Sequence, residues 1–225
     1  MLFRSYTFDE TADYDGLTIH EINDALYNFT EANPDFHLDL IGFDACLMAT
    51  YEAAAHMQYY ADFMVASEEL EPSLGWNYAW LNALGENPAL DAQGIGVAIA
   101  DAYMEACLGE NPDDYLSMSV LYLPAMDYLV STMETYASYL SQALDAGQLS
   151  TFSRARQRMY AFGDFDSATS DMVDMMALLD GTRTIAPQTA DVLQTAYERV
   201  VRYNVGTRKF DYLTGMSVYF PSGSY

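Results

Sequence analysis

Short apolar runs separated by helix-period tracts constrain this chain more than any other feature. Leu38–Phe43 ("LDLIGF"), Phe63–Ala66 within "DFMVASEE", and the runs "LSMSVLYLP" and "TGMSVYFP" read as strands. Each is brief and apolar at successive positions, as in strands covered on both faces. Between them lie helical patterns. In "DGLTIHEINDALYNFTEANPD", Thr18 and Glu21 have capping-box spacing, Ile19, Ile22, Leu26 and Phe29 fall on one face, and Asn33-Pro34 ends the run. Ala45–Tyr60, rich in Ala, Met and Leu, predicts a second helix. Tyr78–Leu84 and Ala92–Cys107 predict two more. Ala125 to about Tyr203 reads as largely helical, with breaks near Gly147, Gly163 and Gly181. Strands alternating with helices predict an α/β fold. Its sheet is mostly parallel and flanked by helices, and its C-terminal portion is helical.

The 225 residues, 51% apolar, suit one domain with a buried core. Thirty-three acids against nine Lys and Arg give a net charge of -24. That excludes the clustered cations a nucleic-acid partner needs. It fits a solvated acidic surface, or a field that draws in cationic substrates. No run approaches the roughly 20 apolar residues of a membrane span. The start, "MLFRSYTFDE", has no signal-peptide apolar region. Two cysteines, Cys46 and Cys107, make no disulfide framework, and Cys107 in "DAYMEACLGE" reads as a small buried apolar residue. "TADYDG", Thr11–Gly16, partly matches a calcium loop. Thr holds the first ligand position and Ile22 stands where a bidentate Glu belongs, so no metal ligand set can be named. "GIGVAI" lies in a helical run and reads as packing. "TRKF" is the one tight basic cluster, readable as an exposed turn or a self-cleavage site.

Cys46 stands where the "LDLIGF" strand meets the next predicted helix. In α/β sheets chemistry gathers at strand carboxyl ends, and the Ser67-Glu68-Glu69 run ends another strand. A thiolate attacks carbonyls, and a helix N-terminus both lowers a thiol pKa and offers N–H groups to an oxyanion. Asp44 has the type and place of an N-cap, or it sets a carboxylate beside a substrate. On these grounds Cys46 reads either as a packing residue or as a nucleophile.

"FDACLMATYEAA" followed by "ADFMVASEELEPSLGWNYAWL" resembles the clostripain family of cysteine endopeptidases. The likeness is strongest over about Gly16 to Leu81. "RARQRMYAFG", "SDMVDMMALL" and "TGMSVYFPSG" resemble the family's later part. The resemblance implies a caspase-like fold and a Cys-His dyad. It makes Cys46 the nucleophile and Asp44 part of an acidic pocket for a basic residue before the scissile bond. Arg is the expected residue there, with Lys in some members. Ser67, Glu68 and Trp76 would line the same pocket. A solvated acidic loop is the other reading of Glu68, Glu69 and Glu71, and a loop anchor the other reading of Trp76. The chemistry needs no cofactor. Calcium dependence in the family makes calcium an open question, and family members are secreted or cell-surface proteins.

The family's catalytic His precedes a Gly, upstream of the Cys strand. None of His20, His37 and His56 precedes a Gly. His56 lies ten residues past Cys46. In a helix that is roughly 15 Å, beyond the ~3 Å reach of a base. The resemblance therefore implies an N-terminally truncated peptidase domain over 1–225 with an incomplete sheet. Its parts are a Cys-bearing α/β core at 1–122, a mainly helical stretch at 123–214, and a final strand and tail at 215–225. A light chain carrying the His is the expected partner. The alternative is a catalytically inactive binding or regulatory module.

Overall fold

The computed structural model describes residues 8–9, 11, 15–163 and 171–222. Its centre is a four-stranded sheet of β3 (Leu38–Gly42), β4 (Ala61–Ala66), β5 (Ser117–Tyr122) and β7 (Val201–Gly206), in that order. β3 and β4 pair in parallel, while β4–β5 and β5–β7 pair antiparallel. Three strands thus share one direction and β5 runs against them. A short ribbon of β6 (Met172–Asp174) and β8 (Ser217–Tyr219) lies apart from this sheet. Phe8–Asp9 (β1) and Asp15–Gly16 (β2) form a small antiparallel pair.

Helices cover both faces. α2 (Tyr51–Met57), α5 (Met126–Asp145), α7 (Met175–Thr182) and α8 (Pro187–Val200) pack with Met64, Ala66 and Leu121 in the larger core. α4 (Ala92–Glu110) covers the opposite face against Val65, Met118 and Val120. Adjacent strand residues such as Met64 and Val65 therefore face different cores, as a pleated strand requires. Both faces are apolar because both are covered. α3 (Trp80–Glu86) and α6 (Leu149–Arg156) complete the helices among the described residues.

α1 (Ile19–Ala32) starts at the expected capping box, with Glu21 N–H donating to Thr18 Oγ1 and Thr18 N–H donating to Glu21 Oε2. Ile19, Ile22 and Leu26 pack on the core. Phe29 is exposed and meets only Phe36 edge-on.

Several boundaries differ from the sequence reading. The second helix begins at Tyr51 rather than Ala45, with Thr50 as N-cap accepting from Ala53 N–H. "TGMSVYFP" joins the β6 ribbon rather than the main sheet. Val201–Gly206, expected at the end of a helical tract, is the edge strand β7. Its Val201, Tyr203 and Val205 alternate, but they follow α8 without a break. Ala12, Asp13 and Tyr14 of the "TADYDG" run lie outside the described residues.

Candidate active site

After β3 the chain turns sharply. Leu47 has φ of +61°, a left-handed conformation that costs a non-glycine residue on the order of 1 kcal/mol. The turn is held by the segment following β4. Leu47 N–H donates to Glu69 O at 3.1 Å, and Ala49 N–H donates to Ser67 O at 2.8 Å. Cys46 sits at the apex, half-buried. Its Sγ accepts from Glu71 N–H at 3.1 Å and faces Glu71 O at 3.7 Å.

This setting differs from the expected helix N-terminus, because α2 starts well past Cys46. No helix end lowers its pKa. Burial pushes the Cys46 thiol up, and the nearby Glu71 and Glu69 carboxylates add to the effect. The Glu71 N–H works the other way. The resting group at neutral pH is the thiol. The Cys46 N–H also acts on its own sulfur in the direction that favours the thiolate.

Asp44 is not a helix cap. Its carboxylate accepts from Trp76 N–H at 3.0 Å and from the Tyr78 hydroxyl at 3.1 Å. Gly75, at φ of +66°, lets this loop come close: a Cβ there would lie 3.2 Å from Asp44 Oδ1. Trp76 packs its ring over Gly42, and its Nε1 donates to Glu71 Oε1 at 3.4 Å. Glu71 is the most perturbed member of the group. Burial pushes its carboxyl up to about 8, and the Asp44 carboxylate beside it acts in the same direction, against the Trp76 hydrogen bond. Glu71 Oε2 has no hydrogen-bond partner among the described residues.

Ser67 and Glu68 are fully buried. The Ser67 and Ser117 hydroxyls, 3.2 Å apart, receive the Glu69 N–H and shape the turn. Glu68 Oε2 accepts from Gly215 N–H at 2.9 Å, and burial and Asp174 hold its carboxyl well above the usual range. Glu69 is almost buried and accepts from Leu70 N–H, Gly163 N–H and the Tyr160 hydroxyl, each at 2.8 Å. The Ser-Glu-Glu run is therefore an internal brace, not a solvated loop.

Cys46 opens onto a cleft of about 520 Å³. It is lined by Leu70, Glu71 and Pro72 from the segment after β4, and by Asp114, Tyr115 and Tyr160. Asp44 and Trp76 stand behind Glu71 rather than on the wall. Sequence reasoning did not single out Asp114, Tyr115 or Tyr160. They are far from Cys46 in the chain, and only the folding of β5 and the Tyr160 segment onto the 67–72 turn brings them there. No histidine lines the cleft: His20 and His56 meet each other at 5.6 Å between ring centroids, and His37 pairs with Asp62 at 3.1 Å. Among the described residues no three His, Cys, Asp or Glu side chains are grouped to hold a metal ion.

A family model for the clostripain family, peptidase C11, matches residues 2–223. The chain belongs to the clostripain family. Solved structures agree on the fold. A secreted C11 cysteine protease from Bacteroides thetaiotaomicron, solved with an irreversible peptide inhibitor, has a TM-score of 0.67 at 18% identity. The match covers 96% of this chain and 60% of that one. An inactive zymogen C11 protease from Parabacteroides distasonis gives 0.62 at 18% identity, over 87% of this chain and 56% of that one. A clostripain from B. thetaiotaomicron in complex with a peptide inhibitor gives 0.62 at 14%, over 95% and 90%. The chain thus spans little more than half the length of the first two. No curated protein matches it. The α/β fold flanked by helices is that of C11 cysteine proteases. No helix among the described residues is long and apolar enough to cross a membrane.

Proposed function

We propose that this chain is the nucleophile-bearing part of a cysteine endopeptidase that cuts after Arg, and after Lys as well. The observation that carries the reading is Cys46, half-exposed at a strand end on the floor of a cleft backed by the Asp44–Glu71 pair. Its thiolate attacks the scissile carbonyl carbon, and the Cys46 N–H receives the oxyanion. The C–N bond breaks, the amine leaves with a proton, and water then hydrolyses the thioester. A cationic side chain entering beside Glu71 favours loss of the Glu71 proton and meets two carboxylates through charge-assisted bonds. The net charge of -24 raises the local concentration of such substrates.

The base is a histidine that this chain does not supply, since its three histidines are engaged away from the cleft. The natural partner is therefore a light-chain segment carrying that histidine, and the chain alone turns over little or no substrate. We place the enzyme outside the cell, like its secreted Bacteroides relative.

The test is labelling of Cys46 by an arginyl chloromethyl ketone, with and without an added clostripain-family segment bearing the His-Gly motif. The expected result is faster labelling with the segment and slower labelling in Asp44→Asn. If no arginyl reagent labels Cys46 even with the segment, the chain is a non-catalytic binding module.

A further inference from the structure

Part of the cleft lining is aromatic and apolar rather than charged. Tyr115 and Tyr160 both present to the space beside Cys46, and Leu70 and Pro72 close it with apolar surface. The two tyrosines are fixed by one buried ring. Phe210, 1% exposed, meets Tyr115 at 5.2 Å and Tyr160 at 5.2 Å between centroids, edge-on in each case. The Tyr160 hydroxyl is spent on Glu69, so the ring rather than the hydroxyl faces a ligand. Glu69 in turn has both oxygens occupied.

Charge at this wall rejects both signs. Asp114 on the rim repels an acidic side chain. A cation is already in place: Lys209 Nζ lies 4.2 Å from the Tyr115 ring centroid and donates to Asp113 O at 3.0 Å. A second cation there would meet that ammonium. What remains is a neutral side chain with a large apolar face, which offset or edge-on contact with two preset rings rewards. This also gives "TRKF" a place: Lys209 and Phe210 pack against the lining tyrosines, and the bond after Lys209 leads into buried Phe210.

We propose that Tyr115, Tyr160, Leu70 and Pro72 form a subsite for an aromatic or branched aliphatic side chain next to the basic residue at the scissile bond. The inference rests on the reading of Cys46 as a nucleophile acting after basic residues. Substrates are then peptides with a large apolar residue adjoining an Arg or Lys.

The test compares alkylation of Cys46 in the 225-residue chain by Phe-Arg and Gly-Arg chloromethyl ketones. Both are run at one pH near 9, where the thiolate fraction cancels from the ratio, with iodoacetamide as a subsite-blind reference. The expected ratio favours Phe-Arg at least about tenfold, the effect of roughly one to two buried methylenes. With each rate divided by that variant's own iodoacetamide rate, Tyr115→Ala brings the ratio within about twofold of unity and Tyr115→Phe restores it. Equal Phe-Arg and Gly-Arg rates, both in excess of reagents lacking Arg, overturn the subsite and leave the basic-residue reading standing. Failure of both arginyl reagents, with the His-Gly segment added as well, while iodoacetamide still modifies Cys46 overturns the two together.

Discussion

Glu71 ties the two halves of the cleft together: its main chain holds the Cys46 sulfur and its side chain meets Asp44 and Trp76. Folding raises its pKa from 4.5 to about 8, so the folded state keeps a proton that the unfolded chain releases. The associated stability is fully present below pH 4.5 and is lost as pH rises towards 8. Glu71→Gln mimics the protonated form at every pH. Thermal melts from pH 5 to 8 should therefore show the variant gaining on the native chain as pH rises. Parallel profiles would remove the buried-pair account. At Cys46, whose pKa is raised from 9.0, iodoacetamide labelling should have its midpoint above that of the urea-unfolded chain. A midpoint below it would mean an activated thiol that the geometry does not contain. At this scale the sequence marked Cys46 and Asp44, because both belong to one short motif. Glu71 read either as pocket lining or as a solvated loop acid, because its burial depends on Trp76 and β3.

At the scale of elements, α4 is where glycine placement is most telling. Gly96 presses on the sheet: a Cβ would lie 2.9 Å from Val120 Cγ1 and 3.1 Å from Val65 Cγ2, both stiff β-branched side chains. Gly96→Ala should destabilise by about 1–3 kcal/mol through overpacking. Gly109, in the same helix, has nothing within 4 Å of that position. Gly109→Ala should stabilise by roughly 0.5–1 kcal/mol. Chemical denaturation of the two variants checks the pair, and effects of the same sign would place α4 wrongly. The reading of "GIGVAI" as packing rested on its helical context, and the sheet contact supports it. The start of α2 was not legible in the same way. "ACLMA" has good helix formers, but tertiary bonds from Leu47 and Ala49 to the 67–69 segment hold it in a turn. Propensity gives way where such bonds fix the backbone. β7 was hidden for another reason: its period-2 pattern is short and runs straight on from the period-3.6 pattern of α8.

For the whole molecule, the outstanding feature is the free side of β3. β3 ends the sheet order, and its outer edge has no strand partner among the described residues. Leu38, Leu40 and Ile41 on it are only half-buried. Such an edge templates further pairing. The net charge of -24 opposes contact between copies, and salt screens that repulsion. Sedimentation should show association that strengthens with ionic strength. A monodisperse monomer at high salt would argue against an incomplete sheet. The fold class was legible from the strand–helix alternation, and the site's location from one motif. The aromatic part of the cleft lining was not legible, because it is assembled from residues that only the fold brings near Cys46.

The proposed function makes this chain the bearer of the nucleophile of a basic-residue endopeptidase whose histidine comes from elsewhere. Hydrolysis of an arginyl fluorogenic peptide by the purified chain, with and without the His-Gly segment, tests it. Turnover should be near background alone, rise at least about a hundredfold with the segment, as expected for a general base, and be abolished by Cys46→Ala. Robust turnover by the chain alone, or turnover that survives Cys46→Ala, would contradict it.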